Sequence, residues 1–344
     1  MLDDYLKIYH GSRRILFVGS YPPPLGGVSV HIYRLVKLLK ANSYKPFVFN
    51  TYRALIHNRI KHLVLLVKIV FRNYQVIHVH NSRVKVFKTI LVAKKFKDFR
   101  LIFTDHNPRL FEGLKDDEIK IVKRFLDSCD LLIAVAPHVV ENYKKVGGFV
   151  YEKQIIMNAF LPPPIDEEEQ ILKTYPSSLL TFINQRNPVI VGNAYQLNFQ
   201  DGVDLYGLDL CIEVIRRLRV KFGNIICVYA IANDKYNSDY LTKMKNLVTE
   251  YKLSDNFFFL IGQRELWPLL KKADLLLRPT NSDGDAVSIR EARYFNTPVI
   301  ASDICVRIEG VTTFKSRDID DLYNKMLDHF SLQNNEHNNE RKDL

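Results

Sequence analysis

The chain has 344 residues, of which 47% are hydrophobic and 25% are charged, and its net charge is +11 at pH 7. This composition excludes a disordered or fibrous protein, and the length allows two domains that each bury a core. The charge is uneven, because residues 1–100 contain 19 Lys and Arg against 3 acidic residues. A basic region of this kind attracts a phosphorylated ligand, anionic lipid or nucleic acid.

The N-terminus and the cysteines indicate a cytoplasmic protein. The first residues, MLDDYLKIYHGSRR, lack the apolar core of a secretory signal, and no uncharged run is long enough to cross a bilayer. The cysteines have no metal-binding spacing, so we predict core thiols in a reducing compartment. They are Cys129, Cys211, Cys227 and Cys305.

The first half of the chain alternates between strand and helix patterns. Strands are predicted at 15–18, 46–50, 76–80, 101–104 and 131–135. Helices are predicted at 28–39, 57–71, 84–95, 114–128 and 138–145. This alternation predicts a mostly parallel sheet that is covered on both faces.

The loop after the first strand, YPPPLGG, ends in Gly26 and Gly27. It lacks both G-x-G-x-x-G and G-K-[ST], so neither a dinucleotide fingerprint nor a P-loop is indicated. The simplest interpretation is a tight turn, although glycines also allow the backbone to approach a phosphate closely.

The segment RIKHLVLLVKIVFR, residues 59–72, is basic at both ends and rich in Leu and Val. It is either a core helix with solvated cations or an interfacial helix on anionic lipid. The charge of residues 1–100 favours the second alternative, so contact with an anionic membrane surface is a hypothesis. Binding of nucleic acid is a weaker rival, because the chain has no recognised motif and its cations lie on separate helices.

Three prolines and three glutamates within FLPPPIDEEE, residues 160–169, mark the end of the first domain. We predict a first domain of residues 1–165, a linker of 166–186, a second domain of 187–332 and a disordered polar tail of 333–344. Strands of the second domain are predicted at 188–192, 225–231, 256–261, 275–277 and 299–301, and its helices at 208–221, 239–251, 265–272 and 286–295.

The segment LLRPTNSDGDAVSIREARYFNTPVIASD, residues 276–303, is predicted to form a strand, a loop, a helix and a strand. Asp283 in the loop and Glu291 in the helix are separated by seven residues. Backbone N–H groups of the first helical turn lie between these acids. That arrangement suits a phosphorylated sugar, with amides for phosphate and carboxylates for hydroxyls.

This pattern, followed by TPVIASD, resembles the donor site of the retaining family 4 (group 1) glycosyltransferases. The segments SYPPPLGGVSVHIYRL and GNAYQLNFQDGVDLYGLDL are similar to other parts of that family, particularly its bacterial surface-polysaccharide enzymes. The resemblance implies the GT-B fold, which has two Rossmann-like doubly wound α/β domains facing a cleft.

The resemblance also implies a reaction. A sugar would move, with retention of configuration, from a nucleotide-diphosphate sugar to a hydroxyl of a saccharide acceptor, which we expect to be lipid-linked. The product would belong to a capsule, O-antigen or exopolysaccharide, and the enzyme would be cytoplasmic or peripheral on the inner face of the plasma membrane. A non-catalytic relative that binds a saccharide or nucleotide sugar is the alternative.

The resemblance assigns roles to single residues as well. Glu291 would bind the ribose hydroxyls, Asp283 the transferred sugar, and His106 would lie near the acceptor. From the residues alone, Glu291 would be an acid on an exposed helix face and His106 a structural residue at a strand end. Donor phosphates would meet the glycine loop and the amides after Asp283, from Gly26, Gly27, Gly284, Ala286, Val287 and Ser288.

The sequence departs from the family where the diphosphate is neutralised, because Asn193 and Tyr206 stand where an Arg and a Lys are usual. We expect another arginine to compensate, with Arg290 first and Arg278 second, followed by Arg264 and Arg293. Asp283 and Ala286 also replace the more usual Glu and Gly, which leaves the donor sugar open.

Asp283-Gly284-Asp285 also spells DxD, a metal-binding motif of the other large glycosyltransferase fold. Two carboxylates could hold Mg²⁺ or Mn²⁺ with a diphosphate. The position of the motif late in the second domain favours the GT-B pattern, so we predict a reaction without a metal cofactor.

Overall fold

The computed structural model describes residues 2–52, 58–107, 109–145, 148, 151–184, 188–283 and 285–340, with the backbone alone at 58, 59, 142 and 333–340. The chain divides into two compact units. One unit consists of Met1–Pro162 with Gly284–Val287, and the other of Pro163–Asp283 with Ser288–Leu344.

The first unit is built on a parallel sheet. Its strands are β1 (Arg14–Gly19), β2 (Lys45–Asn50), β3 (Val76–Val79), β4 (Arg100–Asp105), β5 (Leu131–Ala134) and β6 (Gln154–Ile156). Its helices are α1 (Leu2–Ile8), α2 (Gly27–Ala41), α3 (Asn58–Phe71), α4 (Val84–Lys94), α5 (Asp116–Asp127) and α6 (Pro137–Lys145). The strands pair in the order β2-β1-β3-β4-β5-β6. Every residue of β3 is buried, as expected for a strand with helices on both faces.

The second unit repeats this plan. Its strands are β7 (Val189–Gln196), β8 (Phe199–Gln200), β9 (Val203–Asp204), β10 (Ile226–Asn233), β11 (Phe257–Ile261), β12 (Leu275–Arg278), β13 (Val299–Ser302) and β14 (Val311–Phe314). Its helices are α7 (Glu168–Leu172), α8 (Ser177–Asn184), α9 (Leu208–Leu218), α10 (Ser238–Glu250), α11 (Trp267–Leu270), α12 (Val287–Tyr294) and α13 (Ile319–Glu340). Six strands pair in parallel in the order β11-β10-β7-β12-β13-β14, and β8 and β9 form a small hairpin.

Both sheets are doubly wound, which confirms the predicted pair of Rossmann-like domains. The strand order reverses between β1 and β3 in the first sheet and between β7 and β12 in the second. Open α/β sheets bind ligands at such a switch point, beyond the carboxyl ends of the strands. The topology therefore predicts a ligand-binding site at the carboxyl edge of each sheet.

The predicted linker is folded onto the second unit. It contains α7 and α8, and Glu168 accepts an ion pair from Lys271 at 2.7 Å. Tyr175 donates a hydrogen bond to the carbonyl of Glu265 at 2.8 Å. These contacts explain why a segment that begins with prolines belongs to the second unit.

Residues 333–340, predicted to be disordered, continue the backbone of α13, and residues 341–344 lie outside the described part of the chain. The helix is nucleated earlier, where Leu322, Met326 and Phe330 pack into the core. Extending an existing helix costs much less than starting one, so a polar sequence can continue it.

Three of the four predicted core thiols are buried, whereas Cys305 is partly exposed. Among the described residues no helix is both long enough and apolar enough to span a bilayer.

A close backbone approach fixes the loop after β12. Gly207, just before α9, has φ of +68°, and a Cβ atom there would lie 2.4 Å from the carbonyl oxygen of Pro279. Gly202, in the β8–β9 turn, has a similar φ of +79°, but no atom lies within 4 Å of its Cβ position. Comparing substitutions at the two glycines therefore separates the energetic cost of a positive φ from the cost of a steric clash.

We expect Gly207→Ala to lower the free energy of unfolding by about 3 kcal/mol or more, because strain and a backbone clash add. Gly202→Ala should cost only about 1 kcal/mol, from the positive φ alone. Urea unfolding monitored by circular dichroism measures both values. Equal losses would show that the approach of Pro279 does not constrain this loop.

Candidate functional site

Arg278 lies at the switch point of the second sheet. It is the last residue of β12 and its side chain is only 9% exposed. Its Nη1 donates to the backbone oxygen of Asn193 on β7 at 3.0 Å, and its guanidinium carbon lies 5.2 Å from the ring centre of Tyr206. Arg278 therefore contacts Asn193 and Tyr206, the two residues at the positions where the sequence resemblance led us to expect an Arg and a Lys.

Asp283 lies between two arginines. It accepts hydrogen bonds from Nε and Nη2 of Arg278 at 3.3 and 3.2 Å, and from Nη1 of Arg307 at 2.9 Å. Arg307 also donates from Nε to the backbone oxygen of Ser302, the last residue of β13, at 3.0 Å. The cluster Arg278–Asp283–Arg307 thus joins the carboxyl ends of β7, β12 and β13, which are neighbours in the sheet.

The three charges of this cluster stabilise one another. Burial acts to raise the pKa of Asp283, but Arg278 and Arg307 outweigh it and hold the pKa below its ordinary value. Burial acts to lower the pKa of Arg278, and the carboxylate of Asp283 outweighs that effect. The cluster therefore remains fully ionised and carries a net charge of one positive unit.

The cluster has hydrogen-bond donors left for an anion. A guanidinium group has five N–H donors. Arg278 and Arg307 direct three nitrogens each at Asp283, Asn193 and Ser302 within the described part of the chain. Nη1 of Arg278 donates to both the backbone oxygen and Oδ1 of Asn193, whereas Nη2 of Arg278 and both terminal nitrogens of Arg307 each have one acceptor in this part of the chain and a second N–H for phosphate oxygens.

Hydrogen bonds to the preceding loop hold the β12–α12 loop in place. The hydroxyl of Thr280 and the backbone amide of Asn281 each donate to the backbone oxygen of Leu205, both at 2.8 Å. The side chain of Asn281 donates to the oxygen of Asp204, whose own carboxylate accepts from the amide of Leu208 at the start of α9. The loop is thereby fixed before any ligand binds.

Glu291 lies on α12 and is only 4% exposed, so it is not an acid on a solvated helix face. Burial raises the pKa of Tyr175, and the nearby charges of Glu265 and then Glu291 raise it further. The helix begins at Val287, one residue later than predicted, and its first turn presents backbone N–H groups. Ser288 is buried there, which places these amides in a shielded environment.

The other predicted donor-binding residues of this part of the chain have the following surroundings. Arg264 donates to the backbone oxygens of Thr174 and Ile261, so it ties the predicted linker to the end of β11. Ala286 is buried and Arg290 is partly buried on α12. Gly284 lies outside the described residues.

Arg307 was not predicted. Its position shortly after the strand TPVIAS was the available signal, but nothing in the sequence pairs it with Asp283 across 24 residues. The contact depends on β12 and β13 being adjacent.

The two acids of the DxD motif have protein partners. Asp283 pairs with arginines, and Asp285 accepts from the amide of Ala159 at 3.3 Å, within the first unit. The described residues contain no group of three side chains arranged to hold a metal ion.

A group of imidazole rings lies at the switch point of the first sheet. His80 follows β3, His106 follows β4 and His31 lies on α2, and their ring centres are 5.3–5.4 Å apart. His80 Nδ1 lies 3.1 Å from His106 Nε2. His78 continues the group, 4.1 Å from His80, between the hydroxyls of Tyr9 and Thr104. We call these four residues the histidine cluster.

Two nitrogens of the histidine cluster, His31 Nε2 and His80 Nε2, are buried without a hydrogen-bond partner among the described residues. Gly19 permits this packing, because a Cβ there would lie 2.5 Å from Ile32 and 3.1 Å from His80. Gly26 caps α2, and its amide donates to the hydroxyl of Ser29 at 2.8 Å. Gly27 is the first helical residue. The predicted glycine loop and His106 are therefore brought together at one edge of this sheet.

The rings of the histidine cluster are neutral at physiological pH. Burial is the main cause in each case, and it lowers the pKa of His31 to about 4 and those of His78, His80 and His106 well below the ordinary value. Neighbouring rings add to the effect, and for His31 the charge of Arg34 does so.

Acid should destabilise the first unit through this cluster. An unfolded histidine binds a proton below about pH 6.5, whereas the folded rings do not, so stability is full at higher pH and is lost as pH falls from 7 towards 4. Asp105 opposes this, since burial raises its pKa to about 7 and the folded chain then binds one extra proton. Four imidazoles outweigh one carboxyl, and the midpoint for unfolding should fall steadily between pH 7 and 5.

Thermal unfolding across this pH range measures the effect. His80→Asn should make the slope shallower, while the same change at the exposed His10 should leave it unaltered. A midpoint that stays constant or rises on acidification would contradict neutral burial of the cluster.

Residues 194–338 match the model of the family described as glycosyl transferases group 1. No curated protein matches the chain. Solved structures that resemble it over most of both chains include a glycosyltransferase from Rickettsia africae, with TM-score 0.70 and 13% identity over 93% of this chain and 89% of that one. HepE of Anabaena in complex with UDP-glucose gives 0.67 and 14% over 93% and 90%. Sucrose-phosphate synthase from Thermosynechococcus elongatus gives 0.67 and 15% over 93% and 90%.

At these identities the structural likeness shows the fold. The chain has the GT-B fold of two Rossmann-like domains, and its residues 194–338 match the group 1 glycosyl transferases.

Proposed function

We propose that the protein is a glycosyltransferase that moves a sugar from a nucleotide-diphosphate sugar to a hydroxyl of a saccharide acceptor. The observation that carries the proposal is the buried, positively charged Arg278–Asp283–Arg307 cluster at the switch point of the second sheet. This cluster lies inside the segment that matches the group 1 family. A diphosphate leaving group needs positive charge at that place.

We assign the parts of the nucleotide-sugar donor to residues at the carboxyl edge of the second sheet. Arg278 and Arg307 would bind the diphosphate, the first-turn amides of α12 would add hydrogen bonds, and Glu291 would bind the ribose hydroxyls. Both oxygens of Asp283 are held by guanidinium groups, so we assign it to positioning the arginines rather than to the transferred sugar. UDP is the nucleotide to test first, because HepE was solved with UDP-glucose.

The acceptor is assigned to the first unit. His106 would lie near the acceptor hydroxyl, and it belongs to the same cluster as His31 Nε2 and His80 Nε2, which are buried without a hydrogen-bond partner among the described residues. Transfer would retain the anomeric configuration, with the donor phosphate assisting deprotonation of the acceptor, and would need no metal cofactor. Placing the two reactants together and stabilising the leaving group would supply the rate enhancement.

The biological product would be a surface polysaccharide built on a lipid-linked saccharide at the inner face of the plasma membrane. The solved lipopolysaccharide outer core galactosyltransferase WaaB supports this assignment, with TM-score 0.58 and 14% identity. The alternative is a relative that binds a nucleotide sugar or saccharide without transferring it. Turnover of the donor with any saccharide acceptor separates the two.

Thermal shift against UDP-, GDP-, ADP- and CMP-sugars, with Mg²⁺ or with chelator, tests the donor site. A ligand at a hundred times its dissociation constant should add about 2.7 kcal/mol to the free energy of unfolding. Glu291→Gln should abolish this gain, because the amide loses the charge that binds two ribose hydroxyls. Glu213→Gln, on the outer part of α9, is the matched control and should keep it.

If no nucleotide sugar stabilises the wild type, the proposed function fails. If one does so but no acceptor is ever glycosylated, the binding relative is the correct alternative. Loss of activity in chelator that Mg²⁺ or Mn²⁺ restores would overturn the metal-free reaction.

The arginine pair gives a second prediction. Arg278→Gln and Arg307→Gln should each weaken UDP binding by about 10- to 100-fold, the value of a hydrogen bond to a charged group. Binding of uridine should change little, because uridine has no phosphate. Titration calorimetry with UDP and with uridine measures the ratio of the two affinities.

Arg317→Gln is the control for this pair, since Arg317 forms an ion pair with Asp209 elsewhere in the second unit. A UDP-to-uridine affinity ratio that is unchanged in both arginine variants would assign the diphosphate to other residues.

A further inference from the structure

The outward surface of α3 and α4 is apolar and exposed. On α3, Ile60, Leu63, Val67 and Phe71 are spaced at i, i+3, i+7 and i+11, so they lie on one side of the helix. Phe71 is 80% exposed and Leu63 is 58% exposed. The opposite side packs into the core through Leu65 and Ile69. The exposed stripe is therefore not needed to hold α3 on the sheet.

The neighbouring helix extends this surface. Lys85, Lys88 and Val92 share one side of α4, and Phe96 lies in the turn that follows the helix. All four are exposed, and Phe96 is 69% exposed. We call these residues and the α3 stripe the α3–α4 face.

Two contacts set the direction of the helices. His62 on α3 bonds to Thr89 on α4 at 3.2 Å, and the oxygen of Arg72 accepts from Lys97 at 3.2 Å. From the first contact to the second, the residue numbers increase on both sides, from 62 to 72 and from 89 to 97, so α3 and α4 run in the same direction. Phe71 and Phe96 consequently lie at the same end of the helix pair.

The charge around this face is mainly positive, with the exposed Asp98 two residues after Phe96. Residues 5–97 contain 18 Lys and Arg and no Asp or Glu. Within the described residues, the exposed side chains of Arg72, Lys85, Lys88 and Lys95 form no ion pair. Burial and then the nearby charges of Lys85, Lys61 and Arg83 lower the pKa of His62, as expected beside several cations.

We propose that the α3–α4 face binds the surface of an anionic lipid bilayer. Phe71 and Phe96 would enter the acyl boundary, while Lys85, Lys88, Lys95 and Arg72 would contact anionic headgroups. An apolar stripe flanked mainly by basic residues fits this environment better than it fits water or a neutral protein surface. The proposal does not depend on the donor site, since it concerns a different surface.

Flotation of the full-length protein with phosphatidylcholine vesicles, with or without 30% phosphatidylglycerol, provides the test. We expect binding to the anionic vesicles alone, and weaker binding at high salt. Lys85→Glu with Lys88→Glu should reduce the partition coefficient by about 25-fold or more, because each basic residue near such a surface contributes about fivefold.

Phe71→Ser with Phe96→Ser should also abolish binding, since it removes the inserted rings. Val220→Ser is the matched control, because Val220 is 87% exposed in the second unit. Unfolding temperatures and UDP binding should match the wild type in all variants, which separates this result from loss of the fold or of the donor site.

Three outcomes would overturn the proposal. One is binding that is equal for neutral and anionic vesicles or absent from both. Another is a Phe71→Ser, Phe96→Ser protein that floats like the wild type. The third is a different occupant of the face, shown by a wild-type dimer that these changes dissociate, or by an oligonucleotide that binds there while vesicles do not.

Discussion

The carboxylate of Asp283, held between Arg278 and Arg307, determines how the carboxyl edge of the second sheet is built. Burying a charge is costly unless an opposite charge and hydrogen bonds compensate for it. Here one acid compensates for two cations, and the pairing joins the ends of three neighbouring strands. Removing Asp283 would leave two buried guanidinium groups beside each other, so the loop that carries it depends on this contact.

The same cluster explains the two positions at which this sequence departs from the glycosyltransferases that it resembles. Asn193 and Tyr206 lack positive charge, but they contact the guanidinium group of Arg278 through a carbonyl and a ring face. An arginine from the adjacent strand therefore supplies positive charge at nearly the same place. This arrangement also accounts for an aspartate at position 283, because its side chain serves an arginine that is only five residues away.

The first unit solves the problem of buried polar groups in a different way. The absence of acids between residues 5 and 97 means that cations there have no carboxylate nearby in the sequence. Many buried polar positions are instead occupied by neutral imidazoles and hydroxyls, as in the pairing of His78 with Tyr9 and Thr104. Arg34 is buried, but the other described cations of this stretch are at least partly exposed, and Arg72, Lys85, Lys88 and Lys95 lie around the exposed stripe of α3. One compositional bias thus produces both the histidine cluster and the α3–α4 face.

The sequence by itself determined the alternation of strands and helices, the two doubly wound sheets and the placement of Asp283 and Glu291 around a helix start, because apolar periodicity and turn residues act locally. It could not determine that Arg307 reaches Asp283, that Arg264 binds carbonyl oxygens, or that His31 and His80 meet His106. Those contacts join residues far apart in the chain, and strand order brings them together. It also ranked Arg290 above Arg278, since proximity to Glu291 was the only local guide. Tertiary structure decided the charge arrangement because the energy of a buried charge depends on its neighbours in space rather than in sequence.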